Sequence, residues 1–355
     1  MDLLLVCGAR PNFVKIAPLV RAIKKRVGEV SYCIVHTGQH YDDNLSEVFF
    51  RELNLPKPDI NLGVGSSTHA KQTAKIMEAF EDICIEKKPD VVVVVGDVNS
   101  TLACSVVVSK LPRCKLAHVE AGERNFRRSV PEEVNRVVTD TLSDFNFCCT
   151  NDAMKHLEQE GIPKSRRFLV GNVMIDSLIY NLSLTENIKV PKGPYALLTI
   201  HRADNTDNKG NLQNILKAAG RISEHIPLIF PVHPRTRKQV RAFQLEVTGK
   251  VNIIDPLGYL EFLALMKNAK VVLTDSGSIQ VETTFLEVPC LTIRDFTSLM
   301  FTLTEGTNTL VGTEVEGIVE GVSQVLLGKR KKVKRDKLWD GKASERTIDI
   351  LLKGV

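Results

Sequence analysis

Uninterrupted runs of Val, Ile and Leu recur along the chain, each followed by a segment of helical length with apolar residues on one face. LLLVC (3–7), YCIV (32–35), VVVVV (91–95), KLAHV (115–119) and FLV (168–170) mark the first half. ALLTI (196–200), LIFPV (228–232), NII (252–254), VVLT (271–274) and CLTI (290–293) mark the second. A strand with one wet face alternates apolar and polar positions. These runs do not alternate, so they predict strands buried on both faces, in parallel sheets flanked by helices. The pattern is a doubly wound α/β fold, present twice.

Length agrees with two domains, since 355 residues exceed the ~250–300 at which a single core stops growing. The break falls in TENIKVPKGPY (185–195), a polar stretch with two prolines and a glycine ahead of a new strand. The expected organisation is a first Rossmann-like domain over 1–180 and a second over 190–330. Residues 331–355 then form a basic linker and a last helix, SERTIDILLKGV, packing back across the domain junction. Ligands of open parallel sheets bind beyond the carboxyl ends of the strands, so a cleft between two such domains is the place to look for chemistry.

Composition narrows the class. A hydrophobic share of 43% and a charged share of 25% are ordinary for a globular chain, and no apolar run reaches the ~18–20 residues of a membrane helix. MDLLLVCGARPN reads as a first strand and turn rather than a signal peptide, so a cytoplasmic protein is expected. The eight cysteines show no zinc or disulfide spacing and are expected to be reduced. The net charge of +5 comes from KRKKVKRDK (329–337), whose seven bases and one acid leave near-balance when removed from totals of 47 and 42. One late run without aromatics is a solvated segment, not a nucleic-acid face.

The residues following the predicted strands carry the chemistry. GARPNFVK sets Arg10 and Lys15 after the first strand, suited to an anion, and it lacks the GxGxxG dinucleotide fingerprint. Asp97 ends the strand VVVVV, and Glu120 follows KLAHV. Pro131 suits a first helical position, with Glu132 and Glu133 behind it in the first turn. Singly, each acid has an ordinary explanation: a helix cap for Asp97, a pair with Arg124 or Arg127 for Glu120, an i,i+4 pair with Arg136 for Glu132. Three acids directed at one cleft point to proton transfer.

In the second half His201 and Arg202 follow ALLTI, and His233 follows LIFPV in the same manner. VVLTDSGSIQVE is the strongest local signal: a strand, Asp275, the small-residue turn Ser276-Gly277-Ser278, then a helix from about Ile279. Free N–H groups and the helix dipole there would receive a phosphate, with Glu282 one turn in, within reach of a ribose hydroxyl.

Taken in order, GARPNFVKIAPL, HTGQHYD, GDVNST, HVEAGERNF, PEEVNRVVTD, GNVMIDSL, HRADN, PVHPRT, DPLGYLEF, TDSGSIQVE and TEGTNTLVG resemble the non-hydrolysing UDP-N-acetylglucosamine 2-epimerases over nearly the whole chain. The resemblance implies a GT-B fold. It also implies C2 inversion of UDP-N-acetylglucosamine to UDP-N-acetylmannosamine through elimination of UDP to a 2-acetamidoglucal. No cofactor or metal takes part, and a homodimer is usual. It maps the acids onto Asp97, Glu120 and Glu132, and diphosphate partners onto Arg10, Lys15, His201 and the Ser276–Ser278 turn. Glu282 falls at the ribose and Phe262 on the uracil side. Gln39, His40, Arg202 and His233 are the positions it offers for a second, activating substrate site.

Three positions depart from the family pattern. Leu299 stands where an arginine usually helps bind the nucleotide, a loss of about 1.5–3 kcal/mol if that contact is charge-assisted. Ser278 replaces a commoner glycine and Glu123 a leucine. Beside the epimerase stand three alternatives: a hydrolysing relative that releases free N-acetylmannosamine, a GT-B glycosyltransferase, and a nucleotide sensor without catalysis. An epimerase acting on a related UDP-acetamido sugar also fits.

Overall fold

The computed structural model describes residues 1–38 and 50–354; Gln39 and His40 lie outside the described residues. The chain forms two compact units, Met1–Tyr180 with Lys337–Val355, and Asn181–Asp336.

The first unit is built on seven parallel strands: β1 (Asp2–Cys7), β2 (Ser31–His36), β3 (Ile60–Asn61), β4 (Val91–Val95), β5 (Lys115–Ala121), β6 (Phe145–Cys148) and β7 (Arg167–Leu169). Their order is β3-β2-β1-β4-β5-β6-β7. β1 pairs with both β2 and β4, so the order of the sheet reverses beside it. One face of the sheet, with Leu4, Val6, Val92 and Val94, packs against Ile76, Phe80 and Cys84 of one helix and Ala103, Cys104 and Val107 of the next.

The last helix, Ala343–Gly354, belongs to this unit and lies against the helix Arg10–Lys24. Buried Asp176 caps its start, accepting from Ala343 N at 3.1 Å, Ser344 N at 2.7 Å and Ser344 Oγ at 2.6 Å. Lys25 reaches Glu345 at 2.6 Å on the outside. The basic run before it is strapped to the second unit rather than free. Lys331 Nζ donates to the carbonyl of Leu303 at 3.0 Å, and Arg335 donates to Phe285 O at 2.9 Å and to Glu287 at 3.0 Å.

The second unit repeats the plan with β8 (Ala196–Thr199), β9 (Leu228–Pro231), β10 (Val251–Ile254), β11 (Val271–Thr274), β12 (Cys290–Thr292) and β13 (Asn308–Leu310). The order is β10-β9-β8-β11-β12-β13, again reversing beside its first strand, β8. Its core joins Leu198, Ile200, Phe230 and Leu273 to Leu212, Ile215, Leu216 and Ile222 of a flanking helix. Both units are therefore doubly wound parallel sheets of the kind that make up the GT-B class.

Ten strands coincide with the apolar runs, and three do not. β3 is only two residues long, and β13 opens on Asn308 and Thr309, so neither reads as an apolar run. β6 is interrupted by Asn146, which is nonetheless fully buried. The eight cysteines, all among the described residues, are free thiols. Among the described residues no helix is long and apolar enough to cross a membrane.

Candidate active site

Crevices in such sheets open where the strand order reverses, between the first and fourth strands of each unit. In the first unit these are β1 and β4, and the residues just beyond them are Gly8 to Lys15 and Gly96–Asp97. In the second they are β8 and β11, followed by His201–Arg202 and by Asp275 to Ser278. Arg10, Lys15, Asp97, His201, Arg202 and the Ser276–Ser278 turn thus follow strands at the two reversal points, whereas Glu120, Glu132, His233 and Phe262 follow or lie on other elements.

In the first unit the acids are held by buried cations. Lys15 Nζ lies 2.7 Å from Glu120 Oε1, with the two side chains 7% and 15% exposed. Burial, the largest influence, pulls the Lys15 ammonium down, but Glu120 and Asp97 outweigh it and hold the group above its ordinary value. Arg136 grips Asp97 with one nitrogen, and its Nη1 lies 3.0 Å from Glu133. Glu133 in turn accepts from the amides of Asn125 at 3.0 Å and Phe126 at 2.8 Å, fixing the loop after β5. Asn135 Nδ2 donates to the carbonyl of Asp97 at 2.9 Å. Asn12 ties the turn after β1 to β4, accepting from the amides of Gly8 and Ala9 and donating to Val95 O.

Backbone geometry shows how Glu120 is aimed. It has φ +76°, in the left-handed region, at the point where the β5–β6 register slips. A side chain there costs on the order of 1–3 kcal/mol and persists only where the surroundings fix it. The bulge turns Glu120 out of the alternation of its strand and toward Lys15. Gly96, at φ +69°, completes the arrangement, because a Cβ at that position would sit 2.7 Å from Lys15 Nζ.

Glu132 is half-buried in the first turn of the helix Pro131–Leu142, four residues before Arg136. Arg10 opens the helix Arg10–Lys24. Glu123 is buried among these groups, its Oε1 without a hydrogen-bond partner among the described residues. Burial, reinforced by Glu120, raises its carboxyl to about 8.

The second unit centres on Asp275, which is fully buried. Its carboxylate accepts from the amides of His201 at 3.1 Å and Arg202 at 2.9 Å, and from Asn205 Nδ2 at 3.2 Å. His201 Nδ1 lies 3.4 Å from the same group. One carboxylate thereby joins the turn after β8 to the turn after β11. The His201 and His233 rings are 5.6 Å apart, and His233 accepts from the amide of Arg235.

The helix after β11 begins at Gly277, two residues before the sequence expectation, with Ser276 at the cap position and no side-chain cap. Ser276, Gly277 and Ser278 are partly exposed, so the first-turn amides are available to an anion. Glu282, on the same helix, is buried and accepts from Tyr259 Oη at 2.8 Å. Burial raises its carboxyl to about 7, against the opposing hydrogen bond. Phe262 is half-buried on the helix Tyr259–Asn268. Leu299 is 9% exposed, and its Cδ1 is 3.4 Å from where a Cβ on Gly277 would lie, so an apolar side chain borders the turn.

The sequence singles out the three acids, His201, the turn and, for an anion, Lys15, whose bonded partner here is the Glu120 carboxylate. It does not reveal Arg136 as the partner of Asp97, nor Asp275 as the anchor of His201. Those contacts join residues 39 and 74 positions apart, and no local spacing encodes them.

A family model described as UDP-N-acetylglucosamine 2-epimerase matches residues 21–352. A UDP-N-acetylglucosamine 2-epimerase of Methanocaldococcus jannaschii is 43% identical, with all of both chains covered. The UDP-2,3-diacetamido-2,3-dideoxy-D-glucuronate 2-epimerase of Pseudomonas aeruginosa is 39% identical over 99% of this chain and 100% of its own. The crystal structure of the M. jannaschii UDP-GlcNAc 2-epimerase in complex with UDP-GlcNAc and UDP superposes with a TM-score of 0.91, at 42% identity and full coverage of both chains.

Proposed function

The chain belongs to the UDP-N-acetylglucosamine 2-epimerase family, and we propose that it interconverts UDP-N-acetylglucosamine and UDP-N-acetylmannosamine without releasing free sugar. The C1–O bond breaks with its electron pair on the departing UDP, the C2 proton passes to a carboxylate, and a C1–C2 double bond forms. In the return step a diphosphate oxygen adds to C1 while a proton arrives on the opposite face of C2. No strong carbonyl acidifies C2–H, so charge at C1 must be stabilised as the leaving group departs.

The observation that carries this reading is the paired-acid arrangement of the first unit: Asp97 and Glu120, each held by a buried cation at the reversal point of the sheet. Two acids suit a reaction in which protons leave and arrive on opposite faces. Glu132 is assigned with them. The Ser276–Ser278 turn and His201 are assigned to the diphosphate, Glu282 to the ribose and Phe262 to the uracil side; Arg10 is assigned to phosphate charge. Homodimerisation and a cytoplasmic location belong to the same reading.

Incubation with UDP-N-acetylglucosamine, followed by proton NMR of the anomeric region, tests it. A rise of UDP-N-acetylmannosamine to a constant ratio is expected. Accumulation of free N-acetylmannosamine and UDP would replace it with the hydrolysing reaction. The P. aeruginosa relative gives a second substrate to include, and turnover of a diacetamido uronate alone would move the specificity while keeping the chemistry.

A further inference from the structure

The two peptide segments that carry Asp97 and Glu120 converge on one buried pair, His118 and Asp140, each 0% exposed. His118 Nε2 meets the carbonyl of Gly96, immediately before Asp97, at 2.8 Å. His118 Nδ1 lies 2.5 Å from Asp140 Oδ1. Asp140 Oδ2 accepts from the amide of Gly122, two residues past Glu120, at 3.0 Å and from Arg124 Nη2 at 2.6 Å. Arg124 completes the frame, binding both oxygens of Glu160 at 2.7 Å and donating to Glu123 O at 2.8 Å.

A carbonyl can only accept, so Nε2 donates to Gly96. Burial pushes the Asp140 carboxyl up, but His118 and Arg124 outweigh it and hold it below the usual range, so Asp140 serves Gly122 and Arg124 as an accepting carboxylate. The imidazole is thus a rigid bridge between the ends of β4 and β5. The Gly96 amide also donates to Val119 O at 3.0 Å, so the imidazole adds a side-chain brace to a backbone tie between the Asp97 segment and the left-handed Glu120 with its register slip.

We propose that His118 and Asp140 are positioning residues that fix the separation of the Asp97 and Glu120 carboxylates, through the Gly96 carbonyl on one side and the Gly122 amide on the other. The inference rests on the reaction proposed above, since the spacing matters only if those carboxylates act. Misplacement of a reacting group by about 1 Å can lower the rate by on the order of 100-fold.

His118→Gln and Asp140→Asn are the variants to measure, in the full chain. Each should lower kcat by on the order of 100-fold, while KM for the sugar nucleotide and the affinity for UDP stay within about twofold. A variant that melts earlier but keeps kcat per folded molecule would reduce the pair to a structural role and overturn the inference. A second readout needs neither variant nor turnover. In the unaltered chain the Gly122 amide should exchange with deuterium only through global unfolding, and fast exchange would overturn the clamp. If the wild type turns over no UDP sugar, the proposed reaction fails, while Gly122 exchange still judges the clamp.

Discussion

Lys15 Nζ stands 2.7 Å from Glu120 Oε1, joining the first helix of the chain to a residue 105 positions later. The contact decides what Lys15 does: it neutralises an acid at the reversal point and stays charged in doing so. Lys15→Met would leave the carboxylate without its cation. Breaking a buried pair from one side costs about 3–5 kcal/mol. A lower urea midpoint and a fall in turnover of on the order of 100-fold are expected. Normal turnover in a folded variant would remove the pair from the mechanism.

Asp97→Asn and Glu120→Gln preserve shape while removing the capacity to hold a proton. Each should abolish epimerisation and leave UDP affinity by calorimetry unchanged, because neither acid is assigned to the nucleotide. A variant turning over near the wild-type rate would exclude that residue.

Gly96→Ala tests the space around the Lys15 ammonium. The backbone there is left-handed and a Cβ would fall 2.7 Å from Nζ. A loss of about 1–2 kcal/mol from the conformation is expected, together with displacement of Lys15 and loss of activity. An active, fully stable variant would show that the turn can open without consequence.

Glu123 predicts a pH dependence of stability. Its carboxyl is raised to about 8 in the folded chain, from an ordinary 4.5. The folded state therefore binds more protons than the unfolded state between those values, and stability declines as pH rises through that window. Glu282, raised to about 7, acts with the same sign. Urea unfolding from about pH 5 to about pH 8 should show the decline, and Glu123→Gln should flatten it. An unchanged slope in the variant would contradict the assignment.

Much of this architecture was legible because burial on both faces leaves runs of Val, Ile and Leu that survive in one dimension. The acids and the Ser276–Ser278 turn were legible because they follow those runs directly. The left-handed φ of Glu120 was not, since nothing in HVEAGER signals a register slip against β6. Nor were Asp275 and Asp140 as hubs: a carboxylate collecting distant donors looks in sequence like any acid at a strand end or in a helix. The run 329–337 is largely exposed, as its charges imply, but the carbonyl and carboxylate partners of Lys331 and Arg335 lie some 23 to 50 residues earlier, and no local pattern encodes them.

Leu299 borders Gly277, where the resemblance expects an arginine. Leu299→Arg would add a charge-assisted contact of about 1.5–3 kcal/mol to a bound phosphate. UDP should bind about tenfold or more tightly by calorimetry. Unchanged affinity would place the phosphates elsewhere.

The central claim is that carboxylates of the first unit carry the C2 proton of a UDP-acetamido sugar. Turnover in deuterium oxide, read at C2 by NMR, tests it most directly. The account predicts deuterium at C2 of the epimerised product, and none in substrate incubated with Glu120→Gln. Epimerised product that keeps its original C2 hydrogen would contradict it.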